Sequence, residues 1–130
     1  MEKVFEGVHI LVVEANDNIR EILVDIFRRR GFIVLEAKDC NDALKKVEGQ
    51  DKPDIIIIDV ISPDLDGAEI CERLKSNIST SKVPIIFYST QRDFIIDFTR
   101  NMPGTPVNYY GEACDVMSLF ERIKKLINKQ

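Results

Sequence analysis

Tryptophan is absent from this 130-residue sequence, histidine occurs once, and there are only three cysteines. The cysteines, at positions 40, 71 and 114, are widely spaced and odd in number. That pattern is typical of neutral thiols in a reducing cytoplasm and argues against a disulfide framework. Because His9 is the only histidine, a cysteine nucleophile would lack a base, and no cluster of Cys and His could hold zinc. We therefore expect a cytoplasmic protein.

Long hydrophobic runs and an excess of basic residues are missing as well. No apolar run approaches the roughly 18 residues that a membrane-spanning helix needs, and the N-terminus lacks the apolar core and cleavage site of a signal peptide. Eighteen Lys and Arg against 22 Asp and Glu leave a net charge of −4, which argues against nucleic acid as a partner. With 45% hydrophobic and 31% charged residues, the composition is globular, and the length predicts a single domain over residues 1–130.

Apolar stretches and helical periodicity alternate along the chain. Strands are predicted at 8–13, 32–36, 55–58, 83–88 and 106–110. The first helix begins at a cap on Asn16 or Asp17 and ends at Gly31, and further helices are predicted near 40–48, around 68–74, near 92–101 and at about 115–128. The strand at 55–58 is four isoleucines with no polar face, which is typical of a central parallel strand. The alternation predicts an α/β fold, (βα)5, with a parallel sheet covered by helices on both faces.

Ligands of such sheets bind at the carboxyl ends of the strands. The polar residues at those ends are Glu14, Asp59, Ser89, Thr90 and Glu112. Asp59, at the end of the isoleucine strand, forms with Glu14 an acidic pocket suited to a hard cation such as Mg²⁺. A carboxylate beside a metal is also a feasible phosphoryl acceptor. The alternative is that both acids are only solvated strand ends.

From about residue 8 to residue 128 the sequence resembles the receiver domain of bacterial two-component response regulators. The resemblance is carried by Ile-Leu-Val-Val-Glu at 10–14, Pro-Asp-Ile-Ile-Ile-Ile-Asp at 53–59, Ser-Pro-Asp-Leu-Asp-Gly at 62–67 and Pro-Ile-Ile at 84–86. It implies a flavodoxin-like, doubly wound parallel sheet with strand order 2-1-3-4-5. It also implies phosphorelay signal transduction, and not an enzyme of its own.

The resemblance assigns a role to particular residues. It implies that Asp59 is the phosphoacceptor, that Ser89 senses the phosphoryl group and that Tyr109 is the aromatic that switches in response. Mg²⁺ is expected to bind Glu14, Asp59 and the backbone carbonyl of Ile61. The implied partners are a histidine kinase or phosphotransfer protein, and an output domain, a partner protein or a second copy that docks on the face of the fourth helix, fifth strand and last helix.

Two positions depart from the pattern of the family. Ala15 replaces one of the paired acids after the first strand, and Glu112 stands where the family has a lysine. Losing an acid adds one charge and exchanging lysine for glutamate removes two, so the site is one unit more negative than usual. One hypothesis is that Glu112 reaches the cation and replaces the missing acid. The alternative function is a degenerate receiver that acts as a phosphorylation-independent interaction module, whereas a small-molecule-binding flavodoxin-like protein lacks support because no glycine-rich phosphate loop is present.

Overall fold

The computed structural model describes residues 5–49, 52–59, 72–74, 76–78, 80–89, 109–113 and 116–128. For Gly49, Ser89, Val116 and residues 109–113 it describes the backbone only. The predicted helix near 92–101 and most of the one around 68–74 lie outside these residues, although 72–74 are helical.

Five parallel strands form one sheet in the order β2-β1-β3-β4-β5, which confirms the predicted fold. The strands are β1 (His9–Val13), β2 (Ile33–Ala37), β3 (Ile55–Asp59), β4 (Ile85–Ser89) and β5 (Tyr109–Ala113). Every isoleucine of β3 is fully buried, as expected of a central strand with helices on both sides.

The end of β5 differs from the prediction. This strand was expected to end at residue 110, with Glu112 beyond it, but it continues to Ala113. Pairing of Ser89 with Ala113 extends the strand, although Gly111 and Glu112 are weak strand formers. The carboxyl end of β5 is therefore determined by its pairing with β4 and not by the strand propensity of its residues.

Among the described residues, three helices have both ends defined: α1 (Asp17–Arg29), α2 (Cys40–Gly49) and α3 (Val116–Asn128). They cover the two faces of the sheet. One buried cluster joins α1 and α3 to the sheet through Leu23, Phe27, Leu119, Phe120, Ile123 and Leu126. The opposite cluster joins α2 and Leu74 to the other face through Ala43, Leu44 and Val47. Burial on both sides leaves the ends of the strands as the places where polar groups gather.

Candidate functional site

Asp59 is the last residue of β3, and its side chain is half-buried at the carboxyl edge of the sheet. Val13 of β1 pairs with Ile58, so Glu14 follows β1 directly beside Asp59. On the other side, Asp59 pairs with Tyr88 of β4. The structure therefore brings together the two acids that were predicted from the sequence, and it adds Tyr88.

Glu14 is buried, with 3% of its surface exposed. Its Oε2 accepts a hydrogen bond from the backbone N–H of Asn16 at 3.0 Å, and its Oε1 accepts one from the Tyr88 hydroxyl at 3.2 Å. Burial, and then the hydrogen bond with Asp59, raise the pKa of the Glu14 carboxyl from its usual 4.5 to about 7, although the bonds from Asn16 and Tyr88 act in the opposite direction. A hydrogen bond between two carboxyls requires one of them to hold a proton.

The carboxyl oxygens of Glu14 and Asp59 are suitable ligands for a hard cation. A divalent cation would suit this pair, because it offsets the repulsion between two carboxylates and prefers oxygen ligands. Ala15 is exposed and supplies no side-chain oxygen. Within the part of the chain that the structure describes, no group of three His, Cys, Asp or Glu converges, so any further ligand comes from elsewhere.

Arg20 of α1 fixes the loop that carries Glu14. Its Nη1 donates a hydrogen bond to the backbone carbonyl of Glu14 at 2.9 Å. The same guanidinium contacts the carboxylates of Asp17 at 2.6 Å and Glu36 at 3.3 Å, and only 16% of the side chain is exposed. Because it ties the end of β1 to α1 and β2, Arg20 restricts the position of the Glu14 backbone.

The remaining predicted site residues are described in part or not at all. Ile61 lies outside the described residues, as do the side chains of Ser89, Tyr109 and Glu112. The backbones of these last three are placed by register: Ser89 pairs with Ala113, Tyr109 with Ile85, and Glu112 with Tyr88. Glu112 is therefore at the same level of the sheet as Tyr88, inside β5 and not after it.

Sequence reasoning missed Tyr88 and the role of Arg20. Side chains alternate along a strand, so Tyr88, which pairs with Asp59, points to the same face as Asp59. The register of β3 and β4 is known only from the folded sheet, so the sequence alone does not mark Tyr88. The contacts of Arg20 with the end of β1 and with β2 likewise exist only once the chain is folded.

Comparison with known proteins gives a consistent family. The family model of the response regulator receiver domain matches residues 10–102. The transcriptional regulatory protein CseB of Streptomyces coelicolor is 32% identical over 121 residues, which cover 93% of this chain and 50% of CseB. The chain spans about half or less of the length of the curated relatives that it matches first.

Solved structures agree on the fold. The receiver domain of the hybrid histidine kinase CckA has a TM-score of 0.68 and 27% identity, and the match covers 92% of this chain and 98% of that domain. The receiver domain of the sensor histidine kinase PA1611 from Pseudomonas aeruginosa, described with a magnesium ion in its active-site cleft, has a TM-score of 0.72 and 24% identity over 94% of this chain and 98% of that one. No helix among the described residues is long and apolar enough to span a membrane. The chain belongs to the response regulator receiver domain family, whose members act in two-component signalling.

Proposed function

We propose that Asp59 accepts a phosphoryl group from a histidine kinase or a phosphotransfer protein. The observation that carries this proposal is the contact between half-buried Asp59 and buried Glu14 at the carboxyl edge of the sheet. An aspartate at the end of an all-apolar strand is costly unless it has a partner. Here it is accessible to a donor and has a second acid beside it, as phosphoryl transfer assisted by a metal requires.

The reaction forms a bond from a carboxylate oxygen of Asp59 to phosphorus while the bond from phosphorus to the donor nitrogen breaks. Mg²⁺ bound in this site would offset the negative charge of the phosphoryl oxygens. Its proposed ligands are the carboxylates of Asp59 and Glu14, the carbonyl of Ile61 and the carboxylate of Glu112. Neighbouring strands are about 4.8 Å apart, so the backbone of Glu112, two strands from Asp59, is about 10 Å away. Two carboxyl side chains that extend towards a shared ion can bridge this separation.

Ser89 and Tyr109 are the proposed reporters of the phosphoryl group. The backbone position of Ser89, which follows Tyr88 at the carboxyl end of the strand next to β3, supports the first candidate. Tyr109 pairs with Ile85 at the start of β4, and its role is proposed from the family resemblance alone. We further propose that the single domain transmits the change to an output domain, to a partner protein or to a second copy, through the face formed by the predicted helix near 92–101, β5 and α3. Widely spaced cysteines of odd number fit a cytoplasmic location.

A second candidate function is an interaction module that does not depend on phosphate. Exposed Ala15, which supplies no side-chain oxygen, and the raised pKa of Glu14 favour it, because each would lower the affinity of the site for a cation. The two functions differ in one chemical property, which is whether Asp59 becomes phosphorylated.

Intact mass after incubation with Mg²⁺ and acetyl phosphate separates these functions. We expect one added phosphoryl group on the wild-type protein and none on the Asp59→Asn variant. No adduct from acetyl phosphate or from a panel of phosphorylated histidine phosphotransfer proteins would favour the module. A separate Mg²⁺ titration tests Glu112. The Glu112→Gln variant should bind Mg²⁺ more weakly than wild type, and an unchanged affinity would remove Glu112 from the proposed ligands.

A further inference from the structure

Glu14, Asp59 and Tyr88 lie side by side at the carboxyl ends of three neighbouring strands, with Glu14 directly after β1. β3 lies between β1 and β4, and the pairing places the three residues at one level. The backbones of Glu14 and Tyr88 are two strands apart, about 10 Å at the usual strand spacing. The Tyr88 hydroxyl nevertheless approaches Glu14 Oε1 to 3.2 Å, so it spans the strand that carries Asp59.

This hydrogen bond lies in the interior, since Tyr88 is 9% exposed and Glu14 is 3% exposed. A glutamate has one more rotatable bond than an aspartate, so its carboxylate needs more contacts to hold one orientation. Here the Asn16 N–H holds one oxygen and the Tyr88 O–H holds the other. Both donors favour the ionised carboxylate, which is the form that binds a cation.

We propose that Tyr88 is the positioning residue of this metal site, and that its hydroxyl holds the Glu14 carboxylate beside Asp59 in the orientation that binds Mg²⁺. The inference rests on the proposed function, because it assumes that Glu14 and Asp59 bind the cation. Ala15 makes Glu14 the one acid directly after β1, so its orientation matters more here than in a site with two acids.

A purely structural role for Tyr88 makes a different prediction. Tyr88 belongs to the buried apolar cluster that joins α1 and α3 to the sheet, and a tyrosine hydroxyl needs a hydrogen-bond partner wherever it is buried. If that were its whole role, removing the hydroxyl would change the stability of the fold and leave the affinity for Mg²⁺ unchanged. Affinity and stability therefore have to be measured on the same variants.

The test compares Tyr88→Phe with Tyr110→Phe, which makes the same chemical change in β5 at the position that pairs with Ile86. Mg²⁺ affinity is measured by calorimetric titration at a fixed pH of about 8, above the pKa of Glu14 of about 7. Because hydrogen bonds to charged groups are strong, we expect Tyr88→Phe to bind Mg²⁺ about tenfold more weakly than wild type. Tyr110→Phe should bind like wild type, and urea unfolding of each variant shows that it is folded.

The absorption of tyrosine gives a second readout, which is informative even if Tyr88→Phe still binds Mg²⁺. Mg²⁺ bound to the Glu14 carboxylate would withdraw charge from the oxygen that accepts the Tyr88 hydrogen bond, so the near-ultraviolet absorption of tyrosine should change on addition of Mg²⁺. We expect that change in wild type and in Tyr110→Phe, and we expect it to be absent from Tyr88→Phe. Equal Mg²⁺ affinity in wild type and Tyr88→Phe, or a tyrosine signal that persists in Tyr88→Phe, would overturn the inference and leave the proposed function standing. A wild-type protein that binds no Mg²⁺ would overturn both.

Discussion

Glu14 lies in the loop that follows β1, and yet it is almost completely buried, which is unusual for an acidic residue. Two donors stabilise its charge, while burial and the neighbouring Asp59 destabilise it. The second pair of effects outweighs the first, since the pKa rises to about 7. The proposed cation would therefore compete with a proton for the oxygens of Glu14 near neutral pH.

Because Glu14 loses its proton as the pH rises, the fold should become less stable with increasing pH. Its pKa is about 7 in the folded state against 4.5 in the unfolded chain. The stability that this carboxyl contributes is therefore full below about pH 4.5 and is lost as the pH rises through about 7. Relative to Glu14→Gln, wild type should lose up to about 3 kcal/mol of unfolding free energy between about pH 5 and pH 8. Urea unfolding in metal-free buffer at both pH values measures it.

The control for this measurement is Glu21→Gln, which removes an exposed glutamate from α1. Its unfolding free energy should follow that of wild type across the pH range. If wild type and Glu14→Gln gave parallel pH profiles, the carboxyl of Glu14 would not hold a proton in the folded protein.

The two acids and Tyr88 also show what could be predicted for single residues. Asp59 stood out because it ends an all-isoleucine strand, and Glu14 because it ends the first strand. Tyr88 did not stand out, because an aromatic near the end of a buried strand is ordinary core composition. Its hydrogen bond to Glu14 depends on β3 lying between β1 and β4, which is a property of topology.

At the scale of one element, α1 shows how short-range signals decide both ends of a helix. Asn16 is the cap: its Oδ1 accepts a hydrogen bond from the Ile19 N–H at 2.9 Å, while Asp17 begins the helix and pairs with Arg20. At the other end Gly31 has a φ of 100°, its N–H donates to the carbonyl of Arg28, and the Phe32 N–H donates to that of Phe27. This is the Schellman arrangement, so the predicted glycine end is confirmed.

Replacing Gly31 with alanine should lower the unfolding free energy more than the same change at Gly7 does. Its positive φ disfavours a side chain, and a Cβ there would lie 2.9 Å from the backbone nitrogen of Glu6. Gly7 is the matched control, because its φ is 80° and a Cβ there would meet nothing within 4 Å. We expect Gly7→Ala to cost about 1 kcal/mol and Gly31→Ala about 2–3 kcal/mol, measured by urea unfolding. Equal costs would mean that the N-terminal segment does not pack against this turn.

The strand β5 is the element where local signals were insufficient. Its sequence, Tyr-Tyr-Gly-Glu-Ala, has no β-branched residue, and the strand predicted at 106–110 therefore ended before Glu112. Residues 106–108 of that prediction lie outside the described residues. Pairing with β4 extends it to Ala113. A strand that owes its extent to its neighbour can be located only when the register of that neighbour is known.

At the scale of the whole molecule, the alternation of strands and helices was sufficient for the fold. Four strands were predicted to within two residues of their observed ends, because each is an apolar run bounded by polar or turn residues. The strand order came from the family resemblance and is confirmed by the pairing. The core extends beyond the predicted range, since Phe5 is 5% exposed although the first strand was predicted to begin at residue 8.

The two ends of the sheet carry different kinds of residues. The acids occupy the carboxyl end of the strands, whereas a cluster of four phenylalanines, Phe5, Phe27, Phe32 and Phe120, joins α1, α3 and the N-terminal segment. Phe5 stacks on Phe32 with ring centroids 4.5 Å apart, and its N–H donates to the carbonyl of Arg30. The guanidinium of Arg30 in turn lies 4.4 Å from the centre of the Phe120 ring. Phe5 precedes β1 by a short turn, so this cluster packs at the amino end of the strands, away from Asp59.

This separation predicts that stability can be lowered without altering the site. Phe5→Ala removes a buried ring that contacts two others, so it should cost about 3 kcal/mol of unfolding free energy, whereas Phe5→Leu should cost about 1 kcal/mol. Both variants should keep the Mg²⁺ affinity of wild type at temperatures where they are folded, because the described ring contacts of Phe5 are with Phe32 and Phe120 and not with the acids. Thermal unfolding and Mg²⁺ titration on the same samples measure the two effects. A Phe5→Ala protein that is folded but binds Mg²⁺ more weakly would show that packing at the amino end of the sheet is coupled to the acids at its carboxyl end.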